Sequence, residues 1–196
     1  MYDPAHNRVH IVNGSADTAR CVYVRHVNFI QGNDNVLRSF PGDGDVIVPP
    51  GSCIAVDSEI TVPTGGAWLT VELMDRNSLV ADDNTYILRD SLGNMNWLQS
   101  HDSVSLTARA QYTAPGEVDV YLRNGAGVQT SFFDHVTLID RRSGERILPA
   151  FCNNNYFSIL PLNDKTVHIS FAPQAGILPV VEVQGWNTAR QVIAIK

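Results

Sequence analysis

Hydrophobic and polar residues alternate with a period of two along most of this chain. The alternation is clean in Arg8-Val9-His10-Ile11, Val22-Tyr23-Val24, Leu69-Thr70-Val71-Glu72-Leu73, Val118-Asp119-Val120-Tyr121-Leu122, Val167-His168-Ile169-Ser170-Phe171 and Val181-Glu182-Val183. A side-chain period of two is that of a half-buried strand. No stretch of ten or more residues carries an apolar stripe at helical spacing, and Asn94-Met95-Asn96-Trp97 fits at most a short helical turn. Turn-forming clusters punctuate the strands: Asn13-Gly14-Ser15, Gln31-Gly32-Asn33-Asp34-Asn35, Pro41-Gly42-Asp43-Gly44-Asp45, Pro49-Pro50-Gly51, Pro63-Thr64-Gly65-Gly66 and Asn124-Gly125-Ala126-Gly127. Short alternating strands between such clusters define an all-β chain built of antiparallel sandwiches.

An internal comparison gives the number of units. Leu73-Met74-Asp75-Arg76-Asn77-Ser78 recurs as Leu138-Ile139-Asp140-Arg141-Arg142-Ser143, each followed by an Asn-containing turn and a tyrosine, Tyr86 or Tyr156. A rival alignment pairs Ile47-Val48-Pro49 through Val56 with Leu160-Pro161 through Ile169, then Leu69-Thr70-Val71 with Val181-Glu182-Val183, and keeps strand order better. Both give two tandem immunoglobulin-like β-sandwiches. The polar stretch Arg89-Asp90-Ser91-Leu92-Gly93-Asn94 places the boundary, with one sandwich over 1–92 and the other over 93–196.

The inward positions are Val22 and Val24, then Leu69, Val71 and Leu73 in the first sandwich. In the second they are Val118, Val120 and Leu122, then Val167, Ile169 and Phe171. Asp134 breaks the rule, because it shares its parity with Phe132, Val136 and Leu138. A carboxylate facing the core needs partners or a raised pKa. The expectation is a bulge or sheet edge that turns Asp134 outward, since bulges re-aim single residues.

With 196 residues and a formal charge of −6, carrying only two lysines, Lys165 and Lys196, the chain lacks the clustered cations of a phosphate-backbone partner, so no nucleic acid is expected. No run approaches the roughly 18 apolar residues of a membrane span, and Met1-Tyr2-Asp3-Pro4 lacks the basic and apolar regions of a signal peptide, so no membrane is expected either. Cys21, Cys53 and Cys152 stand in no metal-type spacing and are expected to be free, buried small apolar groups. A (β/α) barrel alone needs about 250 residues, so any enzyme of this length is small or incomplete.

Candidate chemistry is sparse. His6 and His10 are four apart, but on a strand rather than a helix, and no metal is expected there. Gly42-Asp43-Gly44-Asp45 and Asp82-Asp83-Asn84 have calcium-like composition without the spacing that ends in a bidentate Glu, and are expected to be turns. No serine sits in a G-x-S-x-G elbow, no cysteine has a catalytic context, and the phosphate-binding glycine patterns are absent, so no cofactor is expected. Glycoside hydrolysis needs two carboxyl groups held roughly 5 to 10 Å apart in a cleft. Glu72 and Glu182 lie at outward parity, Glu59 ends the polar run Asp57-Ser58-Glu59, and Glu117 and Glu145 lie in or beside turns, so none is expected to be catalytic. Trp68 and Trp186 both fall on the polar parity of their strands. Such rings either stack on a glycan or are covered by another domain; the second is preferred, because outward tryptophans are seldom left open to water.

From Val118 to Asn187 the chain carries, in order, Arg123-Asn124, Ser131-Phe132-Phe133, Thr137-Leu138-Ile139-Asp140, Gly144-Glu145-Arg146-Ile147-Leu148-Pro149, Asn154-Asn155-Tyr156-Phe157-Ser158-Ile159-Leu160-Pro161 and Val183-Gln184-Gly185-Trp186-Asn187. This segment resembles the C-terminal immunoglobulin-like domain of family 2 glycoside hydrolases, in the branch of exo-β-D-glucosaminidases and mannosylglycoprotein endo-β-mannosidases. The first half is similar to the preceding immunoglobulin-like domain through Val12-Asn13, the Leu69-to-Asp75 strand and Asp83-Asn84-Thr85-Tyr86. Asn154 stands where the family has Asp, Leu162 where it has Gly, and Asp134 at an apolar position. The resemblance implies that both catalytic glutamates belong to a barrel N-terminal to these domains, and none of their positions is matched here. The chain is therefore expected to be a non-catalytic C-terminal portion of a larger β-glucosaminidase- or β-mannosidase-type hydrolase, periplasmic or extracellular, with the parent's catalytic barrel as partner. A stand-alone carbohydrate-binding or protein-interaction module is the alternative.

Overall fold

A computed structural model describes residues 1–29, 37–56, 60–62, 65–75, 77, 79–89, 93, 102–126 and 129–196, with the backbone alone described over 23–29 and 37–45. The chain divides into two compact units, Met1–Gln99 and Ser100–Lys196. Residues 90–92 before the expected boundary, the turn Gln31–Asn35, the run Asp57–Glu59, the Pro63-Thr64 pair and the helical turn at Asn94–Trp97 lie outside the described residues. Every regular element described is a strand, and every strand pair is antiparallel, as expected of an all-β chain.

In the first unit, β1 (Tyr2–Asp3), β2 (Arg8–Asn13) and β5 (Ser52–Ala55) form one sheet in the order β1-β2-β5. The other sheet is β4-β3-β6-β7, from β3 (Ala19–Phe29), β4 (Leu37–Val48), β6 (Ala67–Met74) and β7 (Val80–Leu88). Val9, Ile11, Cys21, Val48, Leu69, Val71 and Leu88 make the core, so the alternation along β2 and β6 selects it. Cys21 rather than Val22 fills the inward place on β3: in the unbroken ladder with β6, Val22 and Val24 face Met74 and Glu72 and alternate with the parity of the core residues Leu69 and Val71. Gly42, Asp43 and Gly44, expected as a turn, lie inside β4 where the register jumps from Asp45 to Pro41, so they form its bulge. Asp82, Asp83 and Asn84 are not a turn either: they lie in edge strand β7, opposite Leu73, Glu72 and Val71. Acidic residues on an edge discourage pairing with another chain. Cys53 is exposed, with its Sγ 3.7 Å from His10 Nδ1, while Cys152 is half-buried, so only Cys21 meets the expected burial; none of the three is in a disulfide.

In the second unit, β8 (Thr107–Ala114), β9 (Glu117–Arg123), β13 (Asp164–Phe171) and β11 (Ala150–Cys152) form the sheet β11-β13-β9-β8. It faces β12-β10-β14-β15, built from β12 (Phe157–Ile159), β10 (Ser131–Asp140), β14 (Pro179–Gln184) and β15 (Gln191–Ala194). Val118, Val120, Leu122, Val136, Leu138, Val167, Ile169, Val181 and Val183 interlock between them, all within 2% of full burial, with Phe171 packed at the margin.

The sheet orders match unit for unit: β1, β2 and β5 correspond to β8, β9 and β13, and β4-β3-β6-β7 to β12-β10-β14-β15. Strand β6 therefore corresponds to β14, as the second internal alignment requires. A buried asparagine marks the same corner of each unit. Asn13, at the end of β2, donates to Val48 O at 3.0 Å and Asp17 O at 2.8 Å; Asn124, just after β9, donates to Ile159 O and Gln129 O, both at 2.8 Å. Each amide ties the last carbonyl of an edge strand to the loop entering the next strand, which explains why these positions resemble one another. The first alignment matches β6 with β10, which do not correspond, and its similarity is local turn chemistry. Asp75 Oδ1 accepts from the amides of Asn77 and Leu79 at 2.8 and 2.9 Å, and Asp140 Oδ1 from those of Leu178 and Arg142 at 3.1 and 3.3 Å. These amide bonds hold both carboxyls below the usual carboxylate range.

Candidate functional site

The second unit presents an aromatic surface that three separate segments build. In β10, Ser131 faces Ile159 and Asp134 faces Phe157, so Phe132 and Phe133 together oppose Ser158 alone. This bulge requires a left-handed backbone at Phe133, with φ of 55°. Its effect is the reverse of the expected one: Phe133 swings out, 51% exposed, and Asp134 keeps its inward parity with no exposed surface. The expectation that Asp134 turns outward is thereby corrected. Partners make its burial tolerable, since Ser131 Oγ donates to Oδ2 and Thr188 Oγ1 donates to Oδ1 at 2.5 Å. Burial nonetheless pushes the Asp134 carboxyl above the usual range, against the two hydroxyl bonds and the nearby His135, which pull it down.

The loop after β14 rests on this bulge. Gly185 packs so closely that a Cβ there would meet Asp134 Oδ1, Phe132 O at 2.9 Å and Thr188 Oγ1 at 3.0 Å. Asn187 is buried; its Oδ1 accepts from Phe132 N at 2.8 Å, and its Nδ2 donates to Thr130 O at 3.0 Å and Asp102 O at 3.2 Å. Between these anchors Trp186 donates its amide to Phe132 O at 2.8 Å and leaves 64% of its surface in solvent. A glycine and an asparagine thus serve the packing, and the tryptophan between them is held out.

The third segment is Asn154-Asn155-Tyr156. The Asn155 side chain closes the free edge of β10 as a peptide group would, accepting from Val136 N at 2.8 Å and donating to Val136 O at 3.0 Å. Tyr156 follows with φ of 58° and projects 57% exposed. Its ring lies 5.1 Å from Phe133 and 5.6 Å from His135, and Phe133 lies 5.8 Å from Phe132. Left-handed backbone at two bulky residues costs on the order of 1 kcal/mol or more each and persists only where the surroundings impose it. Substituting Asn155 by Ala is expected to cost about 1–2 kcal/mol and to speed hydrogen exchange of the Val136 amide at least tenfold, read by exchange mass spectrometry.

Beside Tyr156 the free edge of β10 opens into a cleft of about 140 Å³, lined by His135, Thr137, Arg146, Cys152, Asn155 and Tyr156 among others, with no carboxylate. The outer face of the other sheet is different: Gln111, Tyr121, Asp119 and His168 bond one another across three strands, with His168 Nδ1 2.7 Å from Asp119 Oδ1. That face is polar and internally satisfied.

The two sequence-picked tryptophans fare differently. Trp68 is 3% exposed and Thr70 is 4% exposed, so β6 is covered on both faces over Ala67–Val71, and its outward parity does not make it a surface contact. Trp186 is a surface residue. Phe133 and Tyr156, not picked from sequence, are exposed as well and contact each other; a run of aromatics beside turn residues was the available signal. Glu182 is held by Arg190 Nε at 2.6 Å, and Glu117 and Glu145 are exposed. His10 turns opposite ring nitrogens toward Asp3 and Cys53, so these donors do not face one point, and no metal-holding group occurs among the described residues.

Fold and surface together define an immunoglobulin-like all-β sandwich whose exposed feature is an aromatic ridge. Residues 84–188 match the family described as "Exo-beta-D-glucosaminidase Ig-fold domain", and the chain belongs to that family. It is similar to the mannosylglycoprotein endo-beta-mannosidase of Lilium longiflorum, 33% identical over 73 residues, covering 34% of this chain and 8% of that protein. It is also similar to the exo-beta-D-glucosaminidase of Streptomyces avermitilis, 32% identical over 115 residues, covering 55% and 13%. Among solved structures, the Amycolatopsis orientalis exo-chitosanase CsxA superposes with a TM-score of 0.80 at 19% identity, over 99% of this chain and 26% of that one. The chain thus spans 8% to 13% of the curated relatives and about a quarter of the solved enzyme.

Proposed function

We propose that this chain is the non-catalytic C-terminal β-sandwich portion of a glycoside hydrolase acting on β-glucosaminides or β-mannosides, and that it packs against and supports the catalytic barrel. The carrying observation is the exposed Trp186, held out between the tightly packed Gly185 and the buried Asn187 and bonded through its amide to Phe132 O on the bulge that also turns Phe133 into solvent. An exposed ring held out by a tightly packed loop gains most when covered, since a buried aromatic anchor is worth about 2 kcal/mol or more in an interface. Charge does not oppose docking of this unit: it carries eight acidic and eight basic residues, whereas the first unit carries twelve and six. Association through the ridge should accordingly change little with salt.

The test is to read the coding DNA upstream of the Met1 codon, express the barrel encoded there, and measure its melting temperature and co-purification with this chain. The chain should raise the barrel's Tm by several degrees, and Trp186→Ala should weaken association about 30-fold, a loss of ~2 kcal/mol. The same substitution should leave the isolated chain's stability within about 0.5 kcal/mol, because the ring is exposed. No barrel in the frame, or a barrel indifferent to this chain, would defeat the proposal.

A further inference from the structure

We infer that the cleft beside Tyr156 binds one pyranose ring bearing a carboxylate, with Arg146 on the carboxylate, Tyr156 against the ring and Thr137 on a hydroxyl. The cleft, about 140 Å³, suits a single ring rather than a drug-sized ligand, which fills roughly 300 Å³ or more. A pyranose presents C–H groups on its faces and hydroxyls around its rim, so its site needs a flat apolar plate beside hydrogen-bonding groups. Tyr156 supplies the plate; it is backed by Phe133 at 5.1 Å and by the His135 imidazole at 5.6 Å and 28°, so the ring is fixed rather than free to swing. That fixation lowers the ordering cost of binding.

Charge selects the class of sugar. Arg146 lines the cleft, no Asp or Glu does, and Arg146 makes no ion pair among the described residues. A guanidinium in a fixed cleft matches a carboxylate with two parallel bonds and repels an ammonium. The site therefore discriminates against a cationic amino sugar and for a uronate. Asn155, also in the lining, has its amide engaged on both sides by Val136, which leaves Arg146, Thr137, the Tyr156 hydroxyl and the His135 ring nitrogens for the ligand.

The experiment titrates the purified 196-residue chain, by calorimetry and by chemical-shift mapping, with tri-galacturonate, mannotriose, chitosan trimer and tetraglutamate. The expected result is a Kd on the order of 1 mM for tri-galacturonate, at least about tenfold weaker binding of mannotriose, and none of chitosan trimer. Arg146→Gln should remove the preference for the acid while keeping residual sugar binding. Tyr156→Asn, which tolerates the left-handed backbone, should abolish binding of both sugars without unfolding the chain. Equal binding of tetraglutamate and tri-galacturonate would show a bare charge site and overturn the sugar assignment. Tighter binding of chitosan trimer, or no binding of any sugar, would overturn it as well.

Discussion

Replacing Asp134 by alanine should destabilise the second unit by about 3 kcal/mol, measured as the shift in its urea-unfolding midpoint. The substitution strands two buried hydroxyls, Ser131 Oγ and Thr188 Oγ1, that now donate to the carboxylate, and each unpaired buried donor costs about 1–3 kcal/mol. Asparagine should cost less than about 1 kcal/mol, because its oxygen still accepts from Thr188 and its amide donates to Ser131. The pair also fixes the sign of a pH effect. Burial holds the Asp134 carboxyl above its ordinary value, so the folded state keeps the proton to higher pH than the unfolded chain. The stabilisation is fully present below the unfolded pKa of about 3.9 and is lost as pH rises through the raised folded value. Asp75 and Asp140, held low by backbone amides, work in the opposite sense, losing stability as pH falls. They act equally in both proteins and cancel when the Asp134→Asn curve is subtracted. The difference, wild type minus variant, should therefore fall from about pH 4 upward and then level; a difference that climbs with pH would contradict a buried, burial-raised carboxyl.

Asp134 also marks where the sequence stops being sufficient. Alternation located the cores because a strand's side-chain period is fixed by geometry, and Val118, Val120, Leu122, Val167 and Ile169 are all buried where parity puts them. Parity holds only while the register is unbroken. At Phe133 one extra residue enters the strand in a left-handed conformation with no glycine to announce it, so the bulge turned Phe133 outward and left Asp134, Val136 and Leu138 facing inward, the reverse of what was expected for Asp134 alone. The same cause hid the site: Phe133 and Tyr156 are surface residues through positive φ, which an aromatic side chain does not signal. Gly42-Asp43-Gly44 and Asp82-Asp83 erred in the other direction, since turn-forming composition also suits a bulge and an edge strand. Trp68 was misplaced because parity says which face a side chain takes but not whether a second layer covers that face. Trp186 was expected at the polar parity of a strand; it is exposed, but in the loop after β14, where Gly185 and Asn187 pack inward and hold it out.

That tight loop predicts the second large effect, Gly185→Ala at about 3 kcal/mol. Gly185 has no need of left-handed freedom; what it provides is the absence of a Cβ, since an added methyl would strike Asp134 Oδ1, Phe132 O and Thr188 Oγ1 together. None of the three can yield. The carboxylate is held by two hydroxyls, the Phe132 peptide is bonded through its oxygen to Trp186 N and through its nitrogen to Asn187 Oδ1, and Thr188 is fixed by Asp134. The loop must therefore lift, and amide exchange at Phe132 and Trp186 should accelerate by about two orders of magnitude. Gly14→Ala is the control, with no atom within 4 Å of its would-be Cβ, and should change stability by less than about 0.5 kcal/mol. Combining Gly185→Ala with Asp134→Ala separates collision from general fragility. The shorter side chain removes one of the three obstacles, so the double variant should be at least about 1 kcal/mol less damaged than the two single losses added. Strict additivity would mean that the glycine's value does not lie in its approach to Asp134. Because lifting the loop also displaces Trp186, Gly185→Ala should weaken the proposed docking of the barrel as Trp186→Ala does, although it removes no ring.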